Sequence, residues 1–205
     1  MIKPKIKYLN KSTFNECLDN KEFYQVEIDN NKKDIIEIKD MEFNECKFIN
    51  IDFKNIKLNR VDLIDCIFIN CDLSNIKFDF RSINRVVFKD SKLIGTSFIN
   101  SSLKDIEINN CNLNYSNFSG SKLTDIKIIN SNLSETTFID NELKKISLNE
   151  VDFRKSEFLN TSLNKIDFTD CNISNINIDN YSIKGMIINE YDSKYLIHML
   201  GVEVK

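Results

Sequence analysis

Four glycines and a single histidine are spread over 205 residues, and none of the six cysteines stands in a CxxC pair. So few glycines leave no Gly-rich loop for a phosphate, and one histidine far from most of the cysteines gives no zinc ligand set. Apolar runs long enough for a signal peptide or a membrane span are also missing, so a cytoplasmic protein with no membrane segment is expected. Charge of one sign is lacking as well: 28 Lys and Arg stand against 31 Asp and Glu, for a net charge of −3. Without a basic, aromatic-lined stripe, direct nucleic-acid binding is not expected. The sole histidine, His198, lies near the end of the chain, and no nucleophile has a base beside it in the pattern. The sequence therefore predicts no enzyme, no catalytic residue, no cofactor and no metal.

What the chain does have is a period of five. From Phe43 to Ile188 every fifth residue is Phe, Leu or Ile, thirty positions without a gap, and 12 of the 15 Phe fall on this phase. Five matches neither the 3.6 of a helix nor the 2 of a long strand, so each unit must bend. Two residues before each centre stands a second apolar or small residue: Ile eight times, Ser six, Cys five, Val and Thr three each and Met twice, with Arg81, Asn141 and Tyr181 as exceptions. Residues two apart share a face of an extended segment, so both positions point inward and the polar remainder turns a corner. Cys46, Cys66, Cys71, Cys111 and Cys171 occupy the small inward position and read as core filling. Arg81, a charge at an inward position, predicts a local distortion around Asp79, Phe80 and Arg81.

A unit with two inward side chains buries nothing alone, so successive turns must stack into a solenoid. The units CDLSN (71–75), SNFSG (116–120), SNLSE (131–135) and CNISN (171–175) resemble the signature of the pentapeptide-repeat family. That resemblance implies an all-β fold, a right-handed quadrilateral β-helix with four pentapeptides per coil, here ending in a short C-terminal α-helix. Thirty units then give seven and a half coils, a rod of roughly 36 Å at ~4.8 Å per stacked strand.

Three segments are expected. Residues 1–40 form an irregular N-terminal cap and first coil: Leu18, Phe23 and Ile28 keep the phase, Lys33 breaks it, and NNKKD (30–34) can bulge. Thr13 and Glu16 have capping-box spacing for a short helix. Residues 41–190 form the β-helix, and 191–205 a helix with an extended tail. Tyr191, Tyr195, Leu196, Met199 and Leu200 recur at helical spacing; one face covers the last coil and the rest is expected to join two copies as a homodimer.

The tail KGMIINEYDSKYLIHMLGVEV (184–204) is similar to the end of the Qnr and MfpA branch of that family, whose helices dimerise rods end to end. Members of the branch resemble DNA in shape and charge and bind DNA gyrase or topoisomerase IV, protecting it from quinolones or inhibiting it. Many Qnr proteins extrude loops from the coil; a phase unbroken from 43 to 188 is closer to the loopless MfpA type. The resemblance thus implies a non-enzymatic DNA mimic for a type II topoisomerase. With four units per coil, Glu150, Asp170 and Glu190 form one column, with Asp167 beside it, as the candidate partner-binding surface. The alternative is a protein-interaction scaffold that shares only the fold.

Overall fold

The computed structural model describes residues 1–30 and 35–199, with side chains as far as Ile197. Over this range the chain winds as a parallel β-solenoid of about eight turns, the right-handed quadrilateral β-helix, with a short C-terminal helix. The register proves the four-unit coil: Leu103 lies against Leu123, Ile106 against Ile126 and Ile108 against Ile128, each pair twenty residues apart. The same offset pairs Phe23 with Phe43 and Ile38 with Leu58, so residues before the unbroken tract already belong to the coil. The NNKKD bulge lies, but for Asn30, outside the described residues.

Repetition places like on like. Phe78, Phe98, Phe118, Phe138 and Phe158 stack in one column, with ring centroids 5.6, 4.8, 5.1 and 5.0 Å apart. Phe48, Phe68 and Phe88 form a second stack, at 4.9 and 5.2 Å. Burial of such rings supplies most of the core's stabilisation, and their stacking adds about 0.5–1.5 kcal/mol a pair. The small inward position is polar by design. Thr96, Ser116, Thr136 and Ser156 each donate to the carbonyl 23 residues back, that of Leu73, Leu93, Leu113 and Leu133, at 3.1, 2.9, 3.1 and 2.6 Å. The thiols of Cys46 and Cys66 do the same to Phe23 and Phe43, both at 3.2 Å. Several hydroxyls also accept an amide from the preceding coil, as Ser91 does from Cys71 at 3.0 Å. Cys, Ser and Thr therefore alternate freely because each satisfies the same buried carbonyl.

The corners are turned in the left-handed region. The residue two after each centre has positive φ at most turns, from Asp65 (53°) and Asn70 (51°) to Asn160 (48°) and Asn175 (60°). More than half of these residues are Asn or Asp, the side chains that tolerate this conformation best after Gly. Gly120 (φ 71°) stands at such a corner, where a Cβ would lie 2.1 Å from Asn100 Oδ1.

Three places depart from the sequence expectation. Around Arg81 the coil is undistorted: Ser82 pairs with Ser102 in register, and Phe80 has the ordinary corner φ of 59°. The guanidinium escapes outward instead, donating to the Asp79 carbonyl at 3.3 Å and lying 3.9 Å from Asp62. In the last coil Tyr181 points out, 56 % exposed, and Ser182 takes the inward place, accepting the Thr161 amide 21 rather than 20 residues away. Tyr is too large for the small position, and the chain slips by one residue to exclude it. Finally, the strand Glu142–Asn149 is the last of its sheet. The next coil closes its corner by a turn, with Ile166 N–H bonded to the Leu163 carbonyl at 3.0 Å. Leu143, Ile146 and Leu148 are left half-buried beside this break.

Both ends are covered, as bare strand edges require. The helix α1 (Phe14–Asp19) starts at Thr13 with the capping box complete, Thr13 to the Glu16 amide and Glu16 to the Thr13 amide. It buries Phe14 and Cys17, and Phe14 stacks on Phe48 at 6.0 Å. At the other end the helix α2 (Glu190–Met199) lays Leu196, 4 % exposed, on the last coil. Among the described residues no helix is long and apolar enough to cross a membrane.

Candidate functional site

One corner of the rod carries Asn50, Asn70, Asp90, Asn110, Asn130, Glu150 and Asp170 in succession, each the second residue after its centre, and Glu190, next in the phase, opens α2. In its lower half the column bonds to itself: Asn70 donates to Asn50 and Asn110 to Asp90, both at 2.7 Å. From Glu150 upward the amides end and three acids follow. Bridges between Asp152 and Asn172 and between Asp167 and Ile187 keep these coils in register, and Asn189 bonds to the Thr169 carbonyl at 3.1 Å. Glu150, Asp170 and Glu190 are exposed, and among the described residues none donates to their carboxylates. Asp167, also exposed, is fixed by the Thr169 amide at 2.9 Å; this bond and one from the Thr169 hydroxyl hold its carboxyl below the usual carboxylate range. Register sets Glu150 and Asp170 one coil apart, Asp167 lies three residues before Asp170, and Glu190 follows as the first residue of α2.

The five candidate interface residues separate. Tyr191 is 87 % exposed, Tyr195 is half-buried against the core, and Leu196 is buried in the core of its own chain. Leu196 therefore has little surface left for a second copy. The side chains of Met199 and Leu200, like the extended tail after them, lie outside the described residues.

A second charged corner went unread in the sequence. Glu45, Asp65, Arg85, Asp105, Asp125, Lys145 and Lys165 follow one another at twenty-residue steps. Arg85 grips Asp65 through two hydrogen bonds of 2.6 and 2.7 Å, and Lys145 lies 3.5 Å from Asp125. Along this corner runs the N-terminal segment, with the amide of Ile2 on Asp105, Lys3 on Glu107, and the amide of Lys5 on Asp65 at 2.7 Å. The alternation of Lys and apolar residues in IKPKIK, opposite acids at 65, 105 and 125, is the signal that could have revealed it.

The six cysteines are buried and free. Burial pushes the thiols of Cys71, Cys111 and Cys171 up to about 11. Thiols held neutral in this way are packing, not nucleophiles. Among the described residues no group of three His, Cys, Asp or Glu is placed to hold a metal. A surface groove of about 340 Å³ is lined by Asp90, Ser91, Lys92 and the amides of Asn110, Asn112, Asn130 and Asn132 together with Cys111, and its one hydroxyl, that of Ser91, is committed to the Lys89 carbonyl at 2.7 Å and the Cys71 amide at 3.0 Å.

Comparison with known proteins agrees with the coil. A search of curated proteins found no match. Among solved structures, full-length QnrB1, a plasmid-mediated fluoroquinolone resistance protein, is 20% identical over 95% of this chain and 97% of its own, with a TM-score of 0.42. HetL, a pentapeptide repeat protein involved in heterocyst differentiation regulation from the cyanobacterium Nostoc sp. strain PCC 7120, is 13% identical over 87% of this chain and 98% of its own, at 0.29. A pentapeptide repeat protein of the Arabidopsis thaliana thylakoid lumen is 24% identical over 40% of this chain and 60% of its own, at 0.36. Family models match directly: pentapeptide repeat region over residues 61–138, and pentapeptide repeats (8 copies) over 42–79, 131–170 and 146–180. With these matches running together from 42 to 180 on an unbroken five-residue phase, the chain belongs to the pentapeptide-repeat family.

Proposed function

We propose that this protein is a non-enzymatic, cytoplasmic DNA mimic that binds a type II topoisomerase, DNA gyrase or topoisomerase IV, and alters its quinolone sensitivity. The observation that carries the proposal is the unpaired acid column at the α2 end. Many carboxylates on the rod are held by partners, as Asp152 is by Arg154 at 2.6 Å, whereas Glu150, Asp170 and Glu190 have none among the described residues. One coil apart, ~4.8 Å, Glu150 and Asp170 repel one another, and with Glu190 beyond them they favour a cationic partner. DNA presents a phosphate every ~3.4 Å along each strand, so the column imitates a phosphate row sparsely. A homodimer joined through α2 would set two such columns end to end. Supercoiling by purified gyrase, with and without a quinolone, tests the proposal. The rod should inhibit or protect the enzyme at stoichiometric concentration, and no effect at a large excess would contradict it.

A scaffold for other proteins is the second reading, and the mixed charge of the remaining faces favours it. Lys122 lies 3.0 Å from Glu142 and Lys145 3.5 Å from Asp125, so much of the wall is neutralised locally. Such a surface suits selective protein contacts more than imitation of a uniform polyanion.

A further inference from the structure

The N-terminal segment lies along the rod rather than within its coils. Asn10 joins the first coil through the Gln25 carbonyl at 2.8 Å; Lys5 reaches Asp65, and Ile2 reaches Asp105. Its path therefore crosses the coils, parallel to the rod axis. From Asp65 to Asp105 is two coils, roughly 9.6 Å at ~4.8 Å each, and from Lys5 to Ile2 is three residues, roughly 10 Å at ~3.3 Å each. The two lengths match, so an extended chain on this corner can set two amides three residues apart on Asp65 and Asp105. Pro4 holds the preceding residue extended and keeps the segment straight.

The acids beneath are made for such a guest. Asp105 is 4 % exposed, and the bond and ion pair it accepts come from the amide of Ile2 and the amino group of Met1, 3.8 Å away. Met1 also lies 3.7 Å from Asp125, and Lys3 pairs with Glu107. The guest itself is held lightly. Met1 and Ile2 remain 44 % and 52 % exposed, and none of residues 1–9 is buried. Without an apolar anchor, the attachment rests on a few amide and charge contacts at the surface, which salt weakens.

We propose that the corner formed by Asp65, Asp105, Glu107 and Asp125 is a docking site for an extended, lysine-bearing peptide segment of a partner protein, and that residues 2–5 fill it in cis as a releasable strap. The partner segment enters when the strap leaves, because both use the same carboxylates. A tethered strap has a high effective concentration, so the intact protein resists a free competitor. This site lies on a different corner from the acid column and does not depend on the topoisomerase reading.

The test uses the full chain and a fluorescent peptide of sequence IKPKIKY. The variant Ile2→Pro with Lys5→Pro removes both docking amides and lies outside the coil, so its melting midpoint should fall only slightly, by the loss of the Lys5 amide from Asp65. By anisotropy the peptide should bind this variant at least tenfold more tightly than the wild type, and more weakly as salt rises. Adding Asp105→Asn and Glu107→Gln to the released variant should abolish the gain. NMR on the same samples reports the strap: the Ile2 and Lys5 amides should be protected from exchange in the wild type, and the Lys3 and Ile6 amides should show the fast motion of a free strand by heteronuclear NOE only in the variant. Equal peptide binding to both proteins, or Ile2 and Lys5 amides unprotected in the wild type, or a strap that stays rigid in the variant, would each overturn the proposal.

Discussion

Asp65 accepts two parallel hydrogen bonds from Arg85, one coil further along the rod, at 2.6 and 2.7 Å. Burial pushes this carboxyl's pKa up, but the Arg85 fork and the Lys5 amide outweigh burial, and the net shift is downward. A carboxyl with a lowered folded pKa contributes stability that is present above its unfolded value, near ~3.9, and lost as the pH falls through the folded value. Asp65→Asn should cost about 3 kcal/mol at neutral pH, as breaking a buried pair does. In denaturant titrations the gap from wild type should close as the pH falls below ~4. A gap unchanged between pH 7 and pH 3 contradicts this role.

Phe118 lies between Phe98 and Phe138, with ring planes tilted by 10° and 1°. Phe118→Ala should cost about 3–5 kcal/mol, the range for a buried aromatic truncation. Asn117 is turned outward and only accepts the Ser119 amide at 2.9 Å, so Asn117→Ala should cost ~1 kcal/mol or less. Equal losses in denaturant titration would contradict the inward phase.

The hydroxyl of Ser121 donates to the Phe98 carbonyl and accepts the Ser101 amide at 2.9 Å. Ser121→Ala leaves both groups buried without a partner and should cost about 1–3 kcal/mol. Ser121→Cys should cost less, since thiols at Cys46 and Cys66 serve equivalent carbonyls. Thermal melts that rank Cys below Ala contradict the exchange of thiol for hydroxyl.

How much of this could be read from the residues depends on whether the information is periodic. The coil, its inward pair and the cysteines' place follow from the five-residue phase, because register repeats a local rule at every turn. The capping box at Thr13 is equally local. What escaped notice is aperiodic or steric. The strap pairs Ile2 with Asp105 across 103 residues, and no phase relates them. Ser182 replaces Tyr181 inside because a phenol ring does not fit the small position. Arg81 leaves the coil intact because a long side chain can reach out of a core that is only one side chain deep.

At the α2 end, Tyr191 and Leu196 have opposite fates, so their substitutions should differ. Tyr191→Asp should leave the folding stability within about 0.5 kcal/mol of wild type, as surface changes do. If rods dimerise through α2, it should also turn the sedimenting species from dimer to monomer. Leu196→Asp should lower the midpoint as well, since it places a charge against the last coil. A wild type that sediments as a monomer at micromolar concentration contradicts the end-to-end dimer.

The most direct measurement of the central claim is competition between the rod and duplex DNA for purified gyrase. Labelled protein should bind the enzyme and be displaced by linear DNA. Glu150→Lys with Asp170→Lys and Glu190→Lys should weaken binding at least tenfold. These side chains are exposed, so the triple variant should melt close to the wild type, with a small loss from reversing Glu190 at the start of α2. Rod and DNA bound to gyrase together, or a triple variant that binds as tightly as the wild type, would contradict DNA mimicry through this column.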